Sequence, residues 1–187
     1  MTQTAPRQRM IESAAQLMRE RGVQATSFSE VLAHSGAPRG SIYHHFPGGK
    51  AQLVEEATRY AGEFTAAGLI AALADDDATA AIHRFAGMWR RILERSDFGA
   101  GCPVVAATLE GEPSAQEAAA AAFGHWETLL ADGFHARGVE SDRALSIATM
   151  FLASIEGAVV LSRAQRSTAP LERVASELER LLASALS

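Results

Sequence analysis

Two basic side chains stand where a helix normally disfavours them. The residues from Thr26 to Lys50 read TSFSEVLAHSGAPRGSIYHHFPGGK, a pattern that predicts two short helices joined by a turn and followed by a third helix. Arg39 would lie in the first turn of the second helix and Lys50 at the start of the third. Because a helix N-terminus carries partial positive charge, a cation there is unfavourable unless an anion approaches. The spacing therefore indicates phosphate binding at these two helix starts.

The helices that would position these cations have local start and stop signals. Ser27 is followed three residues later by Glu30, which is the capping-box spacing. Gly36-Ala37-Pro38 breaks the chain, because glycine accepts φ > 0 and proline suits the first turn of a helix. The second helix, from about residue 39 to residue 46, has only two apolar anchors and can bury little surface. Two short helices and a turn flanked by basic residues predict a helix-turn-helix that binds DNA.

The same stretch resembles the DNA-binding domain of the TetR family of bacterial transcriptional repressors. The resemblance rests on the run G-V-x-A-T-S from residue 22, on S-G-A-P-R-G-S-I-Y-H-H-F, and on Lys50, and it covers the first third of the chain. Pro38 stands where the family usually has a polar capping residue. Pro47-Gly48-Gly49 is one residue longer than the family spacing before the lysine, which alters the expected reach of Lys50.

Resemblance and side-chain chemistry together assign candidate contacts with double-stranded DNA. Tyr43 and Lys50 are expected to contact phosphate oxygens, as is Ser27. Arg39 is the best candidate for paired hydrogen bonds to guanine. His45 is expected to pack against neighbouring helices instead. The full predicted set is Ser27, Arg39, Gly40, Ser41, Tyr43, His44 and Lys50.

The hydropathy pattern favours an all-α fold. Apolar residues make up 48% of the chain but aromatic residues only 6%, which suits closely packed helices, and no stretch shows strand-type alternation. About nine helices are predicted, a three-helix N-terminal head and a C-terminal helical body. We assign residues 1–48 to a helix-turn-helix DNA-binding domain and 49–187 to an effector-binding and dimerisation domain. The expected head core is Ile11, Met18, Val23, Phe28, Val31, Ile42, Phe46 and Leu53, with Arg19 on the surface of the first helix.

Charge is unevenly distributed along the chain. The 17 basic and 22 acidic residues give a net charge of −5. The first 60 residues nevertheless hold seven basic and five acidic residues, so the head carries +2 and the remainder −7. A mildly basic head on an acidic body fits a protein that presents one face to DNA.

Other protein classes find little support in the sequence. The single cysteine, Cys102, excludes an intramolecular disulfide and suits a reducing compartment. We interpret the apolar runs as too short to span a membrane and expect a cytoplasmic protein with no membrane partner. Metalloprotease, Walker and dinucleotide-binding motifs are absent. Adjacent His44 and His45 would point about 100° apart on a helix, so they would not form a metal-binding pair.

We therefore expect no metal, no cofactor and no enzyme activity. An all-helical protein-interaction module or an unrecognised small-molecule enzyme stays open as an alternative.

In the TetR family the helical body encloses a pocket for a small molecule that lowers DNA affinity. The run G-C-P-V-V-A-A-T-L-E also resembles a segment of the subgroup linked to multidrug and antibiotic-responsive repressors. The resemblance thus implies a small-molecule effector, and large aromatic residues suggest that it is apolar or aromatic. Each such residue is more often ordinary core than ligand contact. The predicted ligand-binding residues are Met88, Trp89, Ile92, Cys102, Val105, Phe123, Trp126, Phe151, Ile155 and Glu156.

The segment from Leu145 to Leu161, LSIATMFLASIEGAVVL, is apolar almost all round. A helix with apolar residues on every face needs cover on every face, which favours a homodimer formed by this helix and the last one. A core helix buried within one chain is the alternative. The predicted interface residues are Met150, Ala153, Gly157, Leu161, Leu171, Val174, Leu178 and Leu181.

Overall fold

The computed structural model of the chain describes residues 5–38, 42–74 and 77–186. These residues form nine α-helices and no strand, which confirms the predicted all-α class. In chain order the helices are α1 (Pro6–Arg21), α2 (Phe28–Ser35), α3 (Ile42–His45), α4 (Gly49–Leu73), α5 (Ala78–Arg95), α6 (Pro103–Glu110), α7 (Pro113–His135), α8 (Ser141–Gln165) and α9 (Ala169–Ala185).

Contacts divide the chain into two compact units. The N-terminal unit comprises Met1–Phe64 and Cys102–Ala122, and the C-terminal unit comprises Thr65–Gly101 and Phe123–Ser187. Helices α4 and α7 therefore contribute residues to both units, and α6 belongs entirely to the first. This division by packing differs from the predicted division by function at residue 48, because α6 returns to the N-terminal unit.

In the N-terminal unit, α1 packs against both α2 and α6. All the expected head-core residues are buried except Phe28, which is half-buried. The guanidinium of Arg7 lies 5.2 Å from the centroid of the Phe46 ring and donates to both carboxylate oxygens of Glu56, at 2.6 and 2.5 Å. These contacts connect α1 to α4 beside the buried end of α3. Arg19 does not lie on the open surface, because its Nε is buried.

In the C-terminal unit, α5, α8 and α9 pack against one another. The centre of this packing is aromatic: the Phe151 ring lies 5.6 Å from that of Phe85 and 6.5 Å from that of Phe134. A cavity of about 10 Å³ lies beside these three rings. That volume holds at most about one water molecule, so the packing around the rings is tight.

Helix α8 is long and apolar enough to cross a membrane by length and composition alone, so the prediction that no apolar run reaches that length is wrong. Its buried face, which includes Ile147, Phe151 and Ile155, lies within the C-terminal unit. Its opposite face is exposed, with Leu145, Met150, Ala153, Gly157, Val160 and Leu161 accessible in the single chain. A helix buried on all sides within one chain is therefore excluded.

The leucine stripe of α9 is placed differently from the prediction. Leu171 and Leu178 are only 1% and 4% exposed, and Val174 and Leu181 are half-buried. Because α9 packs against α5 and α8, its apolar face is covered by its own chain. Periodicity identified the apolar face of α9 correctly but not the neighbour that covers it.

A capping box begins α2, as the sequence predicts. The Ser27 hydroxyl accepts the Glu30 backbone N–H at 3.3 Å, and a Glu30 carboxylate oxygen accepts the Ser27 backbone N–H at 3.1 Å. The backbone N–H and the hydroxyl of Ser27 both donate to that carboxylate and hold the pKa of Glu30 below its ordinary value of 4.5. Ionised Glu30 is therefore a stabilising group.

We expect Glu30→Gln to lower the free energy of unfolding at pH 7, measured by urea denaturation. Because the folded-state pKa lies below the unfolded value, the contribution is present above about pH 4.5 and is lost as the pH falls through the folded-state pKa. The difference from the parent protein should therefore shrink on acidification. The matched control is Glu63→Gln, at an exposed position on α4. A difference that stays constant from neutral to acidic pH would contradict this role for the Glu30 charge.

Candidate nucleic-acid interface

The predicted helix-turn-helix is recognisable in its described parts. Helix α2 ends at Ser35 and is followed by Gly36 in the left-handed region at φ +65°, as the glycine in the turn predicts. Helix α3 is described from Ile42 to His45. Arg39, Gly40 and Ser41, three of the predicted DNA contacts, lie outside the described residues.

Helix α3 turns one face inward and another outward. Ile42 and Phe46 are fully buried, whereas Tyr43 is 71% exposed and His44 is exposed as well. The Tyr43 ring makes a T-shaped contact with Phe28 at 5.4 Å between centroids. This contact with α2 fixes the direction of an otherwise exposed phenol. Tyr43 therefore both packs against a neighbouring helix and presents its polar end to the surface.

Lys50 is held against the loop that follows α1. Its ammonium Nζ donates to the backbone carbonyl of Gln24 at 3.3 Å. Gln24 forms two hydrogen bonds with Glu110. Its backbone N–H donates to the Glu110 carboxylate, and its side-chain amide donates to the Glu110 backbone carbonyl, each at 3.1 Å. An ammonium has three N–H donors, so this arrangement leaves capacity for an anion.

Gly22 and Thr26 explain why this loop carries the run G-V-x-A-T-S. Gly22 has φ +81°, and a Cβ at that position would lie 2.7 Å from the Glu110 carboxylate oxygens. Only glycine combines this backbone conformation with so close an approach. Thr26 is buried, and its hydroxyl donates to the Gly22 carbonyl at 2.8 Å. The loop is thereby closed just before Ser27 caps α2.

Sequence reasoning did not identify Gln24 and Glu110 as parts of this region. The two residues are 86 positions apart, and no local pattern connects the end of α6 to a loop so far upstream. A cleft of about 180 Å³ opens beside them, lined by Val23, Gln24, Lys50, Ala51, Val54, Glu110 and Glu112. The two acidic residues in this lining partly offset the charge of Lys50.

Much of the basic charge of the head is used internally. Arg21 forms an ion pair with Glu30 at 3.0 Å, and Arg7 pairs with Glu56. The Nε of Arg9 donates to the Ser35 carbonyl at 3.3 Å. These arginines position helices, so the charge count of the first 60 residues overstates what a bound anion would meet.

Ser27 also caps the N-terminus of α2. Its hydroxyl serves the capping box, donates to the Glu30 carboxylate at 3.0 Å and lies 2.9 Å from the Ser29 hydroxyl. The side chain fixes the N-terminus of α2, whose first backbone N–H groups point away from the helix. Ser27 thus orients the first backbone N–H groups of α2, while its own hydroxyl is already hydrogen-bonded to Glu30.

The predicted ligand-binding residues are divided between the two units. Cys102 and Val105 belong to the N-terminal unit, and Met88, Trp89, Ile92, Phe123, Trp126, Phe151, Ile155 and Glu156 belong to the C-terminal unit. Within the latter, the rings of Phe123 and Trp126 are in T-shaped contact at 5.0 Å. No group of three or more metal-ligating side chains occurs among the described residues.

Two buried polar atoms of the C-terminal unit lack a hydrogen-bond partner. They are the indole Nε1 of Trp89, on α5, and the hydroxyl oxygen of Ser162, on α8. Buried polar atoms are nearly always hydrogen-bonded, so two unsatisfied ones in the same unit call for an explanation. A bound polar group would satisfy the indole N–H.

Comparison with known proteins identifies related sequences over both parts of the chain. Residues 10–57 match the family model "Bacterial regulatory proteins, tetR family", and residues 78–177 match "Transcriptional regulator LmrA/YxaF-like, C-terminal domain". An uncharacterised HTH-type transcriptional regulator of Mycobacterium tuberculosis is 43% identical over 185 residues, which cover 95% of this chain and 94% of the relative. The HTH-type transcriptional regulator LmrA of Bacillus subtilis is 29% identical over 181 residues, covering 94% and 96%.

Solved structures with a similar fold cover most of the chain. A regulatory protein TetR from Rhodobacter sphaeroides superposes with a TM-score of 0.85 at 22% identity, covering 95% of this chain and 99% of that one. A TetR transcriptional regulator from Chloroflexus aurantiacus superposes with a TM-score of 0.78 at 29% identity, covering 95% and 94%. The fold is therefore common to proteins of diverse sequence.

Proposed function

Because this chain belongs to the TetR family of bacterial transcriptional regulators, we propose that it is a ligand-responsive repressor. It binds a palindromic operator as a homodimer and is released by a small apolar or aromatic molecule. The observation that carries the DNA-binding half of this proposal is the outward face of α3. Tyr43 is 71% exposed there, while Ile42 and Phe46 anchor the opposite face.

The proposed roles of Ser27, Tyr43, His44 and Lys50 are supported by their placement. The roles of Arg39, Gly40 and Ser41 rest on the sequence alone. Tyr43 and Lys50 contact phosphates, because each presents a donor at the surface of the N-terminal unit. Arg39 reads a guanine edge, with Gly40, Ser41 and His44 beside it in the major groove. Ser27 positions the N-terminus of α2 against the DNA backbone.

We expect Tyr43→Phe and Lys50→Ala to weaken binding to operator and unrelated duplexes alike, because phosphate contacts carry no sequence information. Tyr43→Phe retains the ring contact with Phe28, so it isolates the hydroxyl. Lys50→Ala should also reduce the slope of log affinity against log salt by about 1. Arg39→Ala should cost about 1–3 kcal/mol on the operator and relax specificity at one base pair. Fluorescence anisotropy over a salt series measures all three variants.

Arg59→Ala is the matched control for these variants. Arg59 is an exposed arginine that pairs with Glu55 on α4 and has no proposed contact with DNA. Affinity that does not depend on salt would count against DNA binding altogether. An Arg39 variant that discriminates among duplexes as well as the parent would refute its role in base readout.

The exposed stripe of α8 supports the homodimer. Leu145, Met150, Val160 and Leu161 are each between 50% and 58% exposed in the single chain. Gly157 lies on the same face, and a Cβ there would meet open space, so another helix could approach closely. Pairing this stripe with its own copy around a two-fold axis gives an isologous interface. Val174 and Leu181 are only half-buried, so they can contribute at its edge.

A dimer supplies what a single reading helix lacks. Two copies held about 34–36 Å apart enter successive major grooves on one face of a palindromic site. This geometry is the reason that dimerisation and operator binding belong to one proposal.

We expect Leu161→Glu to convert the dimer to a monomer, because two like charges would meet across a two-fold interface. Analytical ultracentrifugation gives the mass, and operator affinity should fall in parallel. Ile70→Glu is the control. Ile70 is also an exposed apolar residue, at 55%, but it belongs to α4 and is not part of the proposed interface. A Leu161→Glu protein that remains dimeric would refute this interface.

The effector site is proposed for the C-terminal unit. Trp89, Phe123 and Trp126 are flat apolar side chains, and both tryptophans are buried, so an effector would have to open space beside them. The unsatisfied Trp89 indole N–H offers a donor to a polar group on the ligand. An effector that used the cavity of about 10 Å³ beside Phe85, Phe134 and Phe151 would have to displace those rings. Such repacking would shift the position of α4, which contributes residues to both units. Operator affinity would change as a result.

Tryptophan fluorescence gives a direct test, because both tryptophans of the chain belong to the C-terminal unit. We expect an aromatic effector that quenches this fluorescence to weaken operator binding roughly 5- to 150-fold, the usual range of allosteric coupling. Trp89→Phe should reduce the affinity for that compound, because it removes the unsatisfied donor. A compound that binds saturably in this unit without changing operator affinity would contradict the coupling.

We assign the protein to the cytoplasm, where its DNA target lies, without a membrane partner, cofactor or enzyme activity. The exposed apolar face of α8 is assigned to a second copy of the chain instead of to lipid. The family relationship favours a regulator over an interaction module or an unrecognised enzyme.

A further inference from the structure

A cleft of about 240 Å³ opens in the N-terminal unit, between α1, α4 and the start of α6. Its lining includes Glu12, Gln16 and Arg19 from α1, Tyr60 and Phe64 from α4, and Pro103 from α6. It shares no residue with the proposed DNA-binding set or with the proposed effector set. Its one connection to the predicted effector set is Cys102, which precedes Pro103 and interacts electrostatically with Arg19.

Arg19 is the unusual member of this lining. Its Nε is buried and has no hydrogen-bond partner. Cys102, Glu20 and Tyr60 interact with the guanidinium electrostatically, but burial has the larger effect on its pKa. Burial lowers the pKa of the Arg19 guanidinium, but a group with so high an ordinary value stays charged at neutral pH. By contrast, Arg7 and Arg21 of α1 each form an ion pair, with Glu56 and Glu30 respectively. Arg19 as a whole is half-buried, but a buried N–H without an acceptor is unfavourable unless something supplies one.

The remaining walls restrict what that acceptor can be. Burial, and secondarily the charge of Glu12, raise the pKa of the Tyr60 phenol, which therefore stays protonated and can donate a hydrogen bond. Phe64 is 49% exposed and Pro103 is apolar, so the two can enclose a ring. Glu12 accepts the Gln8 side-chain amide at 3.2 Å, and its carboxylate can accept further donors.

The volume restricts the ligand as well. Small-molecule sites usually measure about 300–1,000 Å³, so a cleft slightly below that range suits a single ring with short substituents. An anion satisfies Arg19, while a hydroxyl or amine on the other side of the ring satisfies Glu12.

We propose that this cleft binds a small aromatic carboxylate that carries a hydrogen-bond donor. The carboxylate pairs with Arg19 and accepts from Tyr60, the ring lies against Phe64 and Pro103, and the donor group contacts Glu12. This site is distinct from the effector site of the C-terminal unit. Its occupancy can be measured without DNA, so the proposed repressor function can fail without affecting the result.

The probe is 4-hydroxybenzoate, compared with its neutral counterpart 4-hydroxybenzamide, by isothermal titration calorimetry and amide chemical shifts of the full chain. We expect saturable binding of the carboxylate, with shifts at Gln16, Tyr60 and Ala61. The amide should bind at least about tenfold more weakly, because it cannot form charge-assisted hydrogen bonds with the guanidinium. Arg19→Gln should weaken carboxylate binding by a similar factor, and Arg59→Gln, at an exposed α4 position, should not.

A thermal melt establishes whether Arg19→Gln is folded. If it is not, Phe64→Ala decides the matter, because its half-exposed side chain can be truncated with little risk to the core. This variant should weaken binding several-fold, whereas Ile70→Ala, a similarly exposed α4 position, should bind like the parent. The proposal is overturned if the parent shows no saturable binding up to roughly 10 mM. It is also overturned if the amide binds equally well, or if the folded variants of Arg19 and Phe64 retain parental affinity.

Discussion

Glu110, which is distant in sequence, forms hydrogen bonds with the loop between α1 and α2. The positions of that loop and of the start of α2 depend on these hydrogen bonds. The carboxylate and the carbonyl of Glu110 both accept hydrogen bonds from Gln24, whose own carbonyl accepts the Lys50 ammonium. The loop requires a glycine at position 22, because the φ of +81° there would strain any other residue. Once the loop is closed in this way, Ser27 stands where it can cap α2, and α2 supplies the ring of Phe28 that orients Tyr43. Two hydrogen bonds between Glu110 and Gln24 thereby connect α6 with Lys50 directly and with Tyr43 through the loop and α2.

These hydrogen bonds also explain why the compact units differ from a simple division into head and body. Helix α6 follows the first 64 residues by almost forty positions, yet it packs on α1 and belongs to the same unit. A division at residue 48 describes which residues would meet DNA. The physical unit that keeps them in place is larger and discontinuous in sequence. Changes in α6 therefore have a short path to the loop that carries Gln24.

Much of the fold could be predicted because its signals are local. The Ser27–Glu30 spacing, the glycine at position 36 and the prolines at helix starts each act within a single turn of chain. Side-chain neighbours across the fold could not be predicted in this way. Periodicity showed that α9 has an apolar face, but tertiary packing decided that Leu171 and Leu178 face their own chain. Nothing around Arg19 in sequence indicates that its Nε is buried, because residues from α4 and α6 form the cleft beside it.

The internal use of basic charge has a consequence for how such a protein would search a chromosome. Arg7, Arg9 and Arg21 are already engaged with partners inside the head. Affinity for unrelated DNA comes almost entirely from charge neutralisation of phosphates. If the protein binds DNA as proposed, few cations per copy are left for that purpose, and the genome at large would sequester little of it. A small number of copies could then keep one operator occupied, since most of them would be free in solution and able to find it.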